Sequence, residues 1–258
     1  MESQIITAID NHIAHLKFNR PKQLNSLSPE FIEELIDQLK KVENDKRVKV
    51  IILSGSGKAF SSGGDLSTMG NVDHASQLSD YMERASQLTK TIVELEKYVI
   101  AAVHGYAAGA GFSLAMACDF LVADKTAKFA MSFQQVGLIP DLGLLKLLSS
   151  RIPSGTVKEW AATGKVLSAE EGFSRGFVNR LSNENVYESA RLFAEPIING
   201  PSQTDKYIKY LLNHTDIFSL GTALQEENRI QCSLLQTEDH REGVQAFLEK
   251  RKPRFSGM

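Results

Sequence analysis

Two glycine turns and one isolated aspartate carry the residue types that could do chemistry in this chain. The first turn, Phe60-Ser61-Ser62-Gly63-Gly64-Asp65-Leu66, comes after the apolar run Val50-Ile51-Ile52-Leu53. The second lies in AAVHGYAAGAGFSLAMACD at 101–119. There an apolar run ends at His104-Gly105, the small-residue turn Ala107-Ala108-Gly109-Ala110-Gly111 follows, and a helical pattern begins at Phe112. In each, a buried strand leads through glycines to a helix N-terminus, whose first N–H groups lack intrahelical partners and sit at the positive end of the helix dipole. Side chains this small let a ligand reach those amides. Acting together, the two turns could polarise one carbonyl oxygen, which is the logic of an oxyanion hole. Glycines after strands also serve only to turn a chain, and for either turn alone that reading stands beside the catalytic one. Neither turn is G-x-x-x-x-G-K-[ST], so a phosphate-cradling loop is not supported. Gly105-Tyr106-Ala107-Ala108-Gly109 also falls short of the dinucleotide fingerprint.

Asp141 lies between Leu138-Ile139-Pro140 and Leu142-Gly143-Leu144-Leu145. Such apolar company could raise its pKa and make it a base. It could equally be an exposed N-cap of a helix over 142–150, and the local sequence leaves these readings even. Asp65 reads as a helix cap and Asp119 as a local hydrogen-bonder. His12 and His15 read as strand residues on opposite faces, which argues against a shared metal ion. His74, His214 and His240 have polar neighbours and read as solvated, and His104 reads as a hydrogen-bonded residue at a strand end. There is no G-x-S-x-G, no H-E-x-x-H and no defensible Ser/His/Asp set.

The elements that must position these groups follow from periodicity. Residues 4–9 and 13–18 read as strands of a hairpin with Asp10-Asn11 at the turn. Ser28 is a good N-cap with Pro29 at the first helical position. Phe31, Ile32, Leu35, Ile36, Leu39 and Val42 make 29–43 an amphipathic helix. A strand at 48–53, a polar loop at 70–74, a helix at 75–96, a strand at 99–103 and short strands at 119–123 and 128–131 follow. After them come a loop at 137–143 and a helix over 144–150. This alternation argues for an α/β fold with parallel strands. Beyond Pro153 the segments 157–163, 169–175, 186–198, 204–212, 222–235 and 241–251 all read as helices. An all-helical C-terminal third exceeds what one core needs and could pack on its own sheet or on another subunit.

At 258 residues, 42% hydrophobic and 23% charged, the composition is that of an ordinary globular protein. The 29 basic and 31 acidic residues give a formal net charge of -2, which offers no electrostatic case for nucleic acid or an anionic membrane as partner. No apolar run approaches the ~20 residues of a membrane span. MESQIITAID shows no basic segment followed by an apolar core, so the expected setting is cytoplasmic and reducing. Cys118 and Cys232 form no disulfide framework or zinc ribbon, and Cys118 reads as a small core residue.

Four segments, in order, resemble the crotonase superfamily, also called the enoyl-CoA hydratase/isomerase family. Asn19-Arg20-Pro21-Lys22-Gln23-Leu24-Asn25-Ser26-Leu27 is similar to its N-R-P-x-x-x-N-A-L segment, and residues 57–66 are similar to its G-x-x-F-S-x-G-x-D-L. Residues 104–111 resemble its second glycine turn, and residues 239–251 its closing signature. The resemblance implies a spiral of ββα units, with a core domain at 1–195 and a helical trimerisation region at 196–258, assembled as a homotrimer or hexamer. It implies an acyl-CoA substrate whose thioester oxygen accepts from the N–H groups of Gly64 and Ala110. Around them, Ser62, Gly63, Asp65, Leu66, Gly109 and Phe133 would contact substrate. Lys22, Gln23 and Leu24 would lie by the adenine-nucleotide end of CoA, and Phe247 and Lys250 would reach a neighbouring subunit's CoA.

The departures from the family pattern are informative. Hydratases of the family carry two glutamates that hold and activate water, and at their places this chain has Ser113 and Phe133, which cannot share that acid/base work. The stretch from Phe129 to Asp141 is most similar to the 1,2-epoxyphenylacetyl-CoA isomerase type, in which an aspartate stands where Asp141 does. The resemblance therefore favours Asp141 as base of an acyl-CoA isomerase that moves a double bond or opens an epoxide. No metal or redox cofactor is expected, and CoA enters only as part of the substrate. Hydration of a 2-enoyl-CoA and a non-catalytic acyl-CoA-binding subunit are the alternatives.

Overall fold

The computed structural model describes residues 3–65 and 75–257. Leu66, His74 and the loop expected at 70–74 lie outside the described residues. The chain opens with a hairpin, β1 (Ile5–Asp10) antiparallel to β2 (Ile13–Phe18). Its turn falls on Asn11 and His12, at φ 46° and 65°, one residue later than expected. Two successive positive φ values supply the twist that closes a two-residue hairpin. His12 is therefore a turn residue and not a strand residue.

β2 pairs parallel with β3 (Val50–Gly55), and β3 with β5 (Tyr98–Val103). Parallel pairing continues to β7 (Phe120–Asp124) and β10 (Arg180–Ser182), completing a sheet ordered β1-β2-β3-β5-β7-β10. Its strands alternate with period two. Ile51 and Leu53 join the main core with Phe18, Phe31 and Phe112, while Val50 and Ile52 pack with Val186, Ala190 and Ala194 of the helix Val186–Ile198. Burial on both faces is why these strands read as unbroken apolar runs.

Three long strands each run on into a short strand of a second sheet. β3 leads to β4 (Ala59–Ser61), β5 to β6 (Tyr106–Ala108) and β7 to β8 (Lys128–Ala130). β4, β6 and β8 pair parallel, and β9 (Val166–Ser168) closes the sheet antiparallel to β8. The repeated strand, short strand and helix make the spiral of ββα units. Two expectations are corrected here. Residues 106–108 are a strand rather than part of a turn, and the region after Pro153 contains two strands, one of them the edge of the large sheet.

Ten helices occur among the described residues, and the first two are α1 (Pro29–Glu43) and α2 (Ala75–Glu94). They continue with α3 (Ala110–Ala117), α4 (Leu144–Ser149), α5 (Ser154–Thr163), α6 (Ala169–Arg175) and α7 (Val186–Ile198), and end with α8 (Ser202–Asn213), α9 (Leu220–Leu234) and α10 (Glu238–Leu248). α1 has the bounds that its cap and stripe dictate, with the Ser28 hydroxyl accepting from the Phe31 N–H at 3.3 Å. α8 is tied to the sheet by a buried ion pair. Lys209 is 3% exposed and donates to Asp119 Oδ2 at 2.8 Å and to the carbonyls of Ile92 and Lys97. Asp119 also accepts from the Val99 N–H, so its role is long-range rather than local. His214 is half-buried against the rings of Tyr210 and Phe218, not solvated as its neighbours in sequence suggest. No described helix is long and apolar enough to cross a membrane.

Candidate active site

The two glycine turns meet backbone to backbone. Gly63 adopts φ +99°, where a Cβ would come within 2.6 Å of the Ala108 carbonyl oxygen and 3.2 Å of the Ala110 nitrogen. Only glycine permits both that φ and that approach. Gly64 sits in an isolated parallel bridge with Leu27, in which Leu27 N–H donates to Gly63 O at 2.8 Å and Asp65 N–H to Leu27 O at 3.2 Å. That pattern uses the carbonyl before Gly64 and the amide after it, leaving the N–H of Gly64 itself facing away from Leu27. Across the junction Gly109 caps α3 at φ 51° and ψ -126°, and Ala110 is the first helical residue. The Ala110 N–H therefore has no intrahelical acceptor. Among the described residues, neither the Gly64 nor the Ala110 N–H meets a backbone or side-chain acceptor.

Both turns line a cavity of about 230 Å³ with Ser62, Gly63, Gly109, Ser132, Phe133, Gln135, Val136, Leu138 and Asp141. Among the described residues, Asp141 is the one carboxylate in that lining. Burial pushes its pKa up to about 6, offset in part by its own backbone N–H and by the Ser113 hydroxyl. Its Oδ1 is buried and meets no hydrogen-bond partner. The helix-cap reading does not hold for this side chain, because α4 begins at Leu144 behind Gly143 and no side chain caps it. Asp141 contributes only its carbonyl, to the Leu144 N–H at 3.0 Å. The next residue, Leu142, takes φ 47°, which a non-glycine residue holds only where its surroundings impose it. One such restraint is Thr89 of α2, whose hydroxyl donates to the Leu142 carbonyl at 3.0 Å. Tyr81, also of α2, is pushed up to about 12 by burial and then by the charges of Asp141 and Asp65. Its hydroxyl donates to Leu27 O.

The remaining candidates fall in several places. Phe133 is a wall of the cavity, and Ser113 is fully buried in α3, its hydroxyl donating to Gly109 O at 3.4 Å. Lys22, Gln23 and Leu24 lie in and just after the 3-10 turn Pro21–Gln23, outside the lining. They are coupled to it through Ser62, whose N–H donates to Leu24 O at 2.9 Å and whose hydroxyl meets Gln23 O at 3.5 Å. Asp65 is not among the residues lining the cavity. Its carboxylate takes Arg20 at 3.2 Å and Ser26 at 3.1 Å, which braces the first turn. Phe247 is 83% exposed on α10, and neither it nor Lys250 lines the cavity of its own chain. His104 meets Gly57 O at 3.0 Å and is a strand-end residue. Ser132, Gln135, Val136 and Leu138 were not legible as lining residues. Their one signal is the apolar pair Val136 and Leu138 left half-exposed beside Asp141.

The arrangement can hold a carbonyl oxygen between two N–H donors while a carboxylate with a raised pKa takes a proton from an adjacent carbon. Residues 8–258 match the family model described as enoyl-CoA hydratase/isomerase. The 1,2-epoxyphenylacetyl-CoA isomerase of Escherichia coli is 35% identical over 258 residues, covering 98% of each chain. The mitochondrial enoyl-CoA hydratase of Pongo abelii is 34% identical over 248 residues, covering 95% of this chain and 84% of the other. An enoyl-CoA hydratase structure from Bacillus anthracis superposes with a TM-score of 0.94 at 30% identity, covering 99% of this chain and 100% of the other. With its fold, its paired amide turns and these relatives in agreement, the chain belongs to the enoyl-CoA hydratase/isomerase family.

Proposed function

We propose that the protein is an acyl-CoA isomerase that shifts a double bond, or opens an epoxide, by proton transfer. The observation that carries this reading is Asp141, among the described residues the one carboxylate of a cavity where, among those same residues, the N–H groups of Gly64 and Ala110 meet no acceptor. For a β,γ-enoyl-CoA the ionised Asp141 takes the α-proton. The C–H bond pair moves into the π system, and negative charge builds on the thioester oxygen between the two amides. One such donor is typically worth about 2.7–4 kcal/mol. Asp141 then returns the proton to the γ-carbon, leaving a conjugated thioester. The step needs one carboxylate, no held water, and no metal or redox cofactor.

The second reading, hydration of a 2-enoyl-CoA, is favoured by the hydratase names of several relatives. Against it stand Ser113 and Phe133, which provide no second acid. The test gives the protein a β,γ-enoyl-CoA and, separately, crotonyl-CoA, and follows thioester conjugation by ultraviolet absorbance. Isomerisation with very low hydration is expected. Hydration comparable with isomerisation overturns the proposal, and binding of both without turnover shows a non-catalytic acyl-CoA-binding protein. The reading includes a homotrimer or hexamer, in which the exposed Phe247 and Lys250 approach a neighbour's CoA.

A further inference from the structure

We propose that the acyl tail of the substrate leaves the cavity over an apolar strip formed by Val136, Leu138 and Ile139, so that the site takes straight-chain β,γ-enoyl-CoA esters longer than about six carbons. This rests on the isomerase reading above and names the substrate class of that same site. The cavity measures about 230 Å³. At roughly 30 Å³ per non-hydrogen atom, the share of one water in the liquid, such a volume holds about seven or eight atoms. The sulfur, the thioester carbon and oxygen, and the carbons between which the proton moves use most of them. Carbons beyond about the sixth therefore have no room inside.

Of the residues that line the cavity, Gln135, Val136 and Leu138 are the exposed ones, so the mouth lies at that segment. Gln135 is its polar member. Val136 is 51% exposed, Leu138 46%, and Ile139, next in the chain, 78%. Ser62, elsewhere in the lining, meets the carbonyls of Gln23 and Leu24, where the family resemblance lays the adenine-nucleotide end of CoA. The strip stands on a fixed backbone. Gly137 takes φ 73° at the end of the 3-10 turn Ser132–Val136, its N–H donates to Gln134 O at 3.0 Å, and the Leu138 N–H donates to Phe133 O at 3.0 Å. Pro140 restrains the chain just beyond Ile139. A Cβ at Gly137 would meet nothing within 4 Å among the described residues, so the space beside the strip is open. Apolar side chains exposed together at a cavity mouth mark a surface that a ligand covers. The substrate that fills the cavity brings hydrocarbon covalently attached to it. Full burial of a methylene strengthens binding about fourfold, and a tail with one side left in water gains about twofold.

The test measures kcat and KM for isomerisation of the hex-3-enoyl, oct-3-enoyl and dec-3-enoyl esters of CoA, below their micelle concentrations, by wild type, Ile139→Ser and Ile139→Leu. Wild-type kcat/KM should rise about twofold per added methylene, about sixteenfold from the hexenoyl to the decenoyl ester. The rise should come through KM, with kcat within about twofold, because the tail is bound alike in ground and transition states. Ile139→Ser should cut the whole rise to about fourfold or less, with the hexenoyl ester as internal reference, and Ile139→Leu should restore it. A wild-type kcat/KM that is flat or falls beyond the hexenoyl ester overturns the strip and leaves Asp141 and the two amides in place. An Ile139→Ser loss equal at every chain length does the same. No turnover of the hexenoyl ester by wild type overturns the isomerase reading, and the inference with it.

Discussion

Replacing Asp141 by Asn changes activity and stability in opposite directions, and both follow from its burial. The amide matches the carboxyl in shape but accepts no proton at neutral pH, so the general-base contribution, about 10²–10⁴ in turnover, should vanish. Ligand binding should survive, since the Gly64 and Ala110 amides are untouched. The stability effect comes from the pKa, which burial raises from an ordinary 3.8 to about 6. Ionising the carboxylate in the folded protein therefore costs up to about 3 kcal/mol, from 1.36 kcal/mol per pH unit. The cavity is open to water, and screening there brings the cost to about 1–2 kcal/mol. A carboxyl whose folded pKa is raised incurs no such cost below the unfolded value. The cost grows between about pH 4 and pH 6 and is complete above. Denaturant unfolding should thus show Asp141→Asn gaining about 1–2 kcal/mol on wild type between pH 4 and pH 8. Wild-type turnover should fall as pH drops through about 6, when the base becomes protonated. Turnover of Asp141→Asn within a few-fold of wild type would place the base elsewhere. A variant that loses binding along with turnover would make the residue structural, and a relative stability independent of pH would refute the burial argument.

Other outcomes follow from the same geometry. Gly63→Ala puts a Cβ 2.6 Å from the Ala108 carbonyl oxygen at φ +99° and forces the two turns apart, so kcat/KM should fall at least about 10²-fold. Steady-state kinetics showing a loss of only a few-fold would mean that the junction does not hold the substrate oxygen. Asp119→Ala leaves Lys209 buried with two carbonyls and no counter-charge, which should cost about 3–5 kcal/mol in denaturant unfolding. A loss under about 1 kcal/mol would show that water reaches the lysine. Light scattering at micromolar concentration should report a trimer or hexamer, and Lys250→Ala should weaken CoA-ester binding by about 1 kcal/mol or less. A monomer refutes the assembly.

What the sequence by itself determined is whatever depends on neighbours along the chain. The Ser28 cap, Pro29 and a stripe at helical spacing placed α1 to the residue, because capping and amphipathicity are local and cooperative. The runs at Val50 and Val99 announced strands buried on both faces. The family's motifs brought out Gly64, Ala110 and Asp141 without any contact being known. The tertiary structure decided the rest, for a physical reason in each case. β4, β6, β9 and β10 have three residues apiece, too few for a period to declare itself, and they are strands only because a partner strand satisfies their backbone groups. Asp119 looked local because its partner Lys209 lies 90 residues away. The sequence left Asp141 as a helix cap or a base; in the fold Gly143 takes the cap, and partial burial raises the pKa of the carboxylate. Its pKa is set by the solvent that the packed chain excludes, and no spacing of residue types encodes that.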